Sequence, residues 1–156
     1  MKSFAVLSSI LLGAASVFGA PVTERAEAPT EFDVTNFSAN TLPHGTGAFI
    51  SFDVAIPNTS IRTTCSYSDQ TSVSTLPSVP QTECADPAFR WQFRQDPSLP
   101  GTEGRYRVVV IYAYDDPKAV AGFHEWPATD FPLENLGSTY ATTYRGEPDF
   151  VISNLS

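Results

Sequence analysis

The chain has 156 residues, with 9 basic against 17 acidic side chains and a net charge of −8 when both histidines are neutral. That balance argues against nucleic acid and against an anionic membrane surface as partners, because neutralising phosphates takes clustered lysine and arginine. Two cysteines and thirteen evenly spread prolines argue further against a cysteine-rich metal site and against a helical bundle.

In chain order, Lys2 supplies a short positive start, Phe4–Ala15 (FAVLSSILLGAA) is an apolar run, and small residues follow. This is the pattern of a secretory signal peptide, and it falls short of the ~20 apolar residues that span a bilayer. Residues 1–20 are therefore expected to be removed, with cleavage near Gly19–Ala20. Losing Lys2 takes the net charge from −8 to −9. The mature protein is expected to be secreted and extracellular, without membrane insertion. Residues 21–30 have no periodicity and read as a flexible lead-in or short pro-segment, with Arg25 as the place to cut. Residues 31–156 then make a single domain, a length that suits one core.

Period-two alternation dominates that domain. Ala48, Ile50, Phe52, Val54 and Ile56 share a face opposite Ser51 and Asp53, and Phe89, Trp91 and Phe93 alternate with Arg90, Gln92 and Arg94. Such patterns mark half-buried strands. Tyr106, Val108, Val110, Tyr112 and Tyr114 line one face of the longest candidate, and Val109, Ile111 and Ala113 occupy the other, which predicts a central strand covered on both sides. Shorter strands are expected at Phe32–Phe37, Ile61–Tyr67, Thr139–Tyr144 and Phe150–Ile152. Turn signals separate them at Pro43-His44-Gly45, Pro57-Asn58, Asp96-Pro97, Pro100-Gly101 and Asp115-Asp116-Pro117. Helical turns are expected at Asp116–Gly122 and at Asp130–Gly137, the second with Leu133 and Leu136 inward and Gly137 as its cap. Gln70–Thr82, rich in Ser, Thr and Pro, reads as a long loop. The fold class is all-β: an antiparallel β-sandwich or compact β-barrel with one disulfide.

Cys65 and Cys84 are the only cysteines, and an even pair in an exported chain reads as a disulfide. The loop it closes is worth about 3 kcal/mol on the chain-entropy account. Asn36-Phe37-Ser38, Asn58-Thr59-Ser60 and Asn154-Leu155-Ser156 are sequons, which makes Asn58, Asn36 and Asn154 candidate glycan acceptors. Asn58, beside Pro57 in a turn, is the strongest of them.

Catalytic chemistry is not indicated. There is no G-x-S-x-G elbow, and His124-Glu125 lacks the second histidine of a zinc motif. His44 and His124 read as solvated or locally hydrogen-bonded side chains. Glu125, Asp130 and Glu134 are candidates for a carboxylate pair, but seventeen acids supply candidates by number alone. Catalytic residues: none; metal ligands: none; cofactors: none. Arg94, Arg105 and Arg107, with Arg90 further along, would share the outward face of a hairpin between the 89–94 and 105–114 strands. That is a candidate dock for an acidic partner, unless acids nearby on the chain or on neighbouring strands neutralise it. Trp91 and Trp126 read as core and rim residues, with a carbohydrate platform as the lesser alternative.

The order of these features resembles a family of fungal secreted proteins typified by the Alternaria major allergen. The resemblance rests on the first strand Phe32-Asp33-Val34-Thr35-Asn36-Phe37, the strand Thr63-Thr64-Cys65-Ser66 and the second cysteine Cys84. It continues through Phe89-Arg90-Trp91-Gln92-Phe93-Arg94-Gln95-Asp96 and the Gly122-Phe123-His124…Pro127-Ala128-Thr129-Asp130 stretch. It spans roughly Glu31 to Ile152. The resemblance implies a compact β-barrel or sandwich without catalytic residues. It also implies an allergen-, elicitor- or effector-like role on plant or animal hosts, with a host extracellular protein or a small phenolic as ligand. This chain lacks the further cysteines that give the type member a second disulfide or a covalent dimer, so a monomer or non-covalent dimer is expected. The expected function is host interaction by binding. The alternatives are a carbohydrate-active hydrolase with a carboxylate site, or a small-ligand carrier whose cavity is lined by Tyr106, Tyr112 and Phe93.

Overall fold

The computed structural model describes residues 27–70, 74–96 and 105–156, without the Asp96 side chain. The expected signal peptide, residues 21–26 of the lead-in, part of the Gln70–Thr82 loop and the Pro97–Gly104 connection lie outside the described residues.

Among the described residues ten strands follow in order: β1 Phe32–Thr41, β2 Ala48–Ala55, β3 Arg62–Asp69, β4 Val79–Glu83, β5 Phe89–Asp96, β6 Arg105–Asp115, β7 Lys118–Trp126, β8 Leu133–Asn135, β9 Tyr140–Thr142 and β10 Phe150–Ile152. They form two four-stranded sheets, ordered β10-β1-β2-β3 and β4-β5-β6-β7, and the small hairpin β8-β9. Every pairing is antiparallel. The molecule is all-β, as the alternation predicts.

The inward faces meet in one apolar core. Phe32, Val34, Phe37, Ile50, Phe52 and Val54 come from the first sheet, and Phe89, Trp91, Phe93, Val108, Val110 and Trp126 from the second. In β1 the inward residues switch from even to odd numbers, with Phe32 and Val34 buried and then Phe37, Ala39 and Thr41. A bulge makes that switch: the β1–β2 register shifts between Thr35 and Ser38, and Asn36 takes φ 57°. One extra residue re-aims every side chain beyond it, and asparagine is among the few residue types that tolerate this backbone.

The two sheets are joined along both long sides. On one side the Cys65–Cys84 disulfide ties β3 to the end of β4. Beside it Ala85 N–H donates to the Thr64 carbonyl at 2.9 Å, and Asp86 N–H to Thr63 Oγ1 at 2.8 Å. On the other side the segment after β10 runs along β7. Ala121 and Ser156 exchange two backbone hydrogen bonds of 3.0 and 2.9 Å, and Phe123 N–H donates to Asn154 Oδ1 at 3.1 Å. Gly122 lies beneath this strap: a Cβ there would collide with Leu155 Cδ2 and stand 2.6 Å from Ile152 Cγ2.

Four expectations are corrected. Residues 118–122 are not a helical turn but the first half of β7, which pairs with β6 from Asp115↔Lys118 to Tyr106↔Trp126. Only a 3-10 turn at Ala128–Asp130 is helical in the next stretch. Leu133 and Leu136 point outward at 54% and 51% exposure, and Gly137 (φ 90°) sits between β8 and β9. The loop after Gln70 contains β4, an edge strand in which Val79 alone is buried; its Pro80 is tolerable because an edge strand leaves N–H groups unpaired. Finally, β6 is central in its sheet, but among the described residues no layer covers its outer face, where Val109 and Ile111 are only half-buried.

Candidate functional site

The strongest cluster of chemistry outside the core lies on the outer face of β5, β6 and β7. Register places Arg94 opposite Arg107, Gln92 opposite Val109 and Arg90 opposite Ile111 on β5–β6. On β6–β7 it places Arg107 opposite Glu125, Val109 opposite Phe123 and Ile111 opposite Ala121. The four sequence-predicted arginines therefore do share one face, as hairpin geometry requires.

Acids on the flanking strands meet three of them. Arg107 is partly buried; its Nε donates to Glu125 Oε1 at 2.7 Å, and its Nη2 contacts the same oxygen. Arg105 Nη1 approaches Glu125 Oε2 at 3.7 Å, and Arg90 Nη2 lies 3.7 Å from Glu83 Oε1 on β4. Arg107 also stacks over Phe123, with its guanidinium carbon 4.7 Å from the ring centre. The arrangement is a small apolar strip of Val109, Ile111 and Phe123 with arginines along one border. Two glutamates, Glu83 and Glu125, thus meet three of these arginines on a chain of net charge −8. Exposed pairs at 3.7 Å contribute about 0–1 kcal/mol each, so Arg90 and Arg105 can change partners at little cost.

The remaining candidates are dispersed. His44 is exposed in a 3-10 turn at Pro43–Gly45. His124 is half-buried, stacked on Phe150 at 4.2 Å between ring centres, and burial lowers its pKa. Glu134 is held by Arg145 in a two-pronged pair of 2.8 and 2.9 Å, and Asp130 accepts the Arg145 N–H through its backbone carbonyl. Among the described residues, Tyr106, Tyr112 and Phe93 pack into the core: Phe93 is fully buried, the Tyr106 ring centre lies 4.1 Å from that of Phe131, and Tyr112 stacks on Phe89 at 4.5 Å. Trp91 and Trp126 are core residues, at 0% and 4% exposure. Burial pushes the hydroxyl of Tyr144, which packs on Trp126, up to about 12.

Two features were not read from the sequence. On the outer face of the first sheet, an open cleft of about 510 Å³ is lined by Thr35, Asn36, Asp53, Arg62 and Thr64 among others. Thr64 Oγ1 and Asn36 Nδ2 donate to the two Asp53 oxygens at 2.6 and 3.0 Å and hold its pKa below the usual carboxylate value. A second cleft, of about 580 Å³, runs past Leu42 and Phe49. Among the described residues no group of three His, Cys, Asp or Glu side chains is placed to hold a metal ion.

The fold defined by this geometry is a two-sheet antiparallel β protein stapled by one disulfide. No family model matches the chain, and no curated protein does. Among solved structures, the crystal structure of the Alternaria alternata allergen Alt a 1 is similar, with a TM-score of 0.51 and 17% identity. The match covers 88% of this chain and 94% of that one. At this identity the likeness establishes a shared fold, in agreement with the strand-order resemblance.

Proposed function

We propose that this is an exported fungal protein that acts by binding a host extracellular polypeptide, plant proteins above all, through the outer face of β5–β7. The observation that carries the reading is the arginine-bordered strip around Phe123 on an otherwise acidic molecule. Arginine and aromatic side chains are enriched at protein interfaces, and exposed arginines beside an apolar strip favour a partner surface that carries carboxylates. The signal-peptide pattern and the allergen-like fold support the same reading.

The test uses the mature protein immobilised against plant apoplastic fluid. A captured acidic protein should be retained by wild type, lost on raising the salt, and lost from a variant carrying Arg105→Glu together with Phe123→Ser. Equal capture by that variant, when it unfolds at the wild-type temperature, would overturn the proposal. Infiltration of leaf tissue at micromolar dose should provoke a defence response, and inert protein counts against a host role.

A further inference from the structure

Asparagine-linked glycosylation requires a sequon and an export route, so this inference rests on the export reading above. The fold treats the sequons differently. Asn58 stands in the β2–β3 connection, exposed and at φ 60°. Its neighbours close the turn: Ile56 N–H donates to the Ile61 carbonyl at 3.0 Å, and Thr59 Oγ1 donates to the Ile56 carbonyl at 2.8 Å while accepting Ile61 N–H at 3.1 Å. The Asn58 carboxamide itself makes no hydrogen bond among the described residues. Asn58 lines an open cleft of about 320 Å³ against Glu27–Glu31, and a sugar on its Nδ2 breaks no hydrogen bond among the described residues.

Asn36 is the opposite case. Its backbone N–H donates to Asp149 Oδ1 at 2.9 Å, and its Nδ2 donates to Asp53 Oδ2 at 3.0 Å. The atom that would take the sugar is thus one of the side-chain links between β1 and β2, beside the Ser38–Ser51 hydroxyl pair, and its residue lies in the wall of the 510 Å³ cleft. A saccharide there removes one of the two amide hydrogens and stands against Asp53 and Thr64. At Asn154 the carboxamide oxygen is engaged with Phe123 N–H, pegging the terminal strap.

We propose that Asn58 is the glycan-bearing asparagine of the exported protein and that Asn36 stays bare because the fold uses its carboxamide. Chains modified at Asn36 would carry a sugar crowded against the Asn36–Asp53 contact and be depleted from the exported pool, since marginal losses of stability change abundance several-fold. The consequence is an oriented molecule: the glycan grows from the first sheet, and the arginine face on the second sheet stays uncovered.

The full-length chain is expressed in a filamentous fungus, and medium and cell fractions are collected. Peptide N-glycosidase digestion in heavy-oxygen water converts each occupied asparagine to a labelled aspartate, which peptide mass spectrometry maps. Label at Asn58 and none at Asn36 is expected, with Ser60→Ala, which breaks the sequon and keeps asparagine at φ 60°, abolishing the label at that site and leaving the exported yield unchanged. Exported protein with an unlabelled Asn58, or with a labelled Asn36, overturns the inference while export stands. A chain confined to the cells with its leader intact defeats the export reading and the glycan with it.

Discussion

Replacing Gly122 with alanine adds one methyl group at the point where the terminal strap crosses β7. The new Cβ collides with Leu155 Cδ2 and comes within 2.6 Å of Ile152 Cγ2, and Ile152 is a core residue at 1% exposure. Overpacking of this kind costs about 1–3 kcal/mol, or a fall in melting temperature on the order of 3–10 °C for a domain of this size. Leu155→Ala alone removes half-buried apolar carbon worth about 1 kcal/mol. In the double variant the Leu155 part of the clash is gone, so the two costs should fall short of additive by about 1 kcal/mol. Urea unfolding followed by tryptophan fluorescence measures all four corners of the cycle. Hydrogen exchange supplies a local readout: the Ala121 amide, bonded to the Ser156 carbonyl, should lose protection in Gly122→Ala more than the Val108 amide at the sheet centre. A Gly122→Ala protein within about 0.5 kcal/mol of wild type, or strictly additive with Leu155→Ala, would refute the packed-strap reasoning.

Reduction of Cys65–Cys84, or a Cys65→Ser/Cys84→Ser pair, should lower unfolding free energy by about 3 kcal/mol for the loop it closes, read by urea denaturation with and without reductant. Asn36→Ala should cost about 1–2 kcal/mol from the left-handed backbone alone; Asn36→Gly should recover most of that part in a thermal melt, and equal losses would argue against strain at the bulge. His124 has a pKa held below 6.5 mainly by burial, so the unfolded chain binds the proton more readily. Stability from this group is therefore full above pH 6.5 and declines as pH falls from there toward the folded-state pKa, a dependence that His124→Phe should abolish in melts across pH 5–8 while the imidazole titration is followed by NMR. Thr64→Val removes the first hydrogen bond to Asp53, so the Asp53 carboxyl should titrate at higher pH by NMR, and an unmoved titration would show that the bond is not held in solution.

Legibility from the sequence tracks how local the determining interaction is. Phe89, Trp91 and Phe93 or Ala48 through Ile56 announce their strands by alternation within one segment, and Phe150–Ile152 matches β10 residue for residue. The start of β7 does not: after Pro117 its Lys118–Gly122 stretch holds two alanines and a glycine, and it is extended because β6 offers it an open edge. Strand β4 has one buried side chain, so nothing in its pattern distinguishes it from loop. The same division runs through the site. Arg94, Arg105 and Arg107 could be placed together from two strands and a turn, whereas Phe123 and Glu125 join them only through the β6–β7 register. The Asp53 cleft needs Asn36 turned outward by a bulge, and a bulge leaves no more trace in sequence than a break in parity between Val34 and Phe37.

The two seams of the molecule differ in kind, and that difference sets the direction in which it can come apart. Along one seam the chain is locked covalently at Cys65–Cys84; along the other, the segment from Ser153 to Ser156 holds by two main-chain hydrogen bonds, Asn154 and Leu155, beside the stack of His124 on Phe150, with no covalent bond. Thermal openings therefore behave like a book with a glued spine: the pages part at the strap, β7 loses its cover first, and the β3–β4 margin stays shut. A protease in the surrounding medium would accordingly meet Ser153–Ser156 and the β7 edge long before it met the core behind the disulfide.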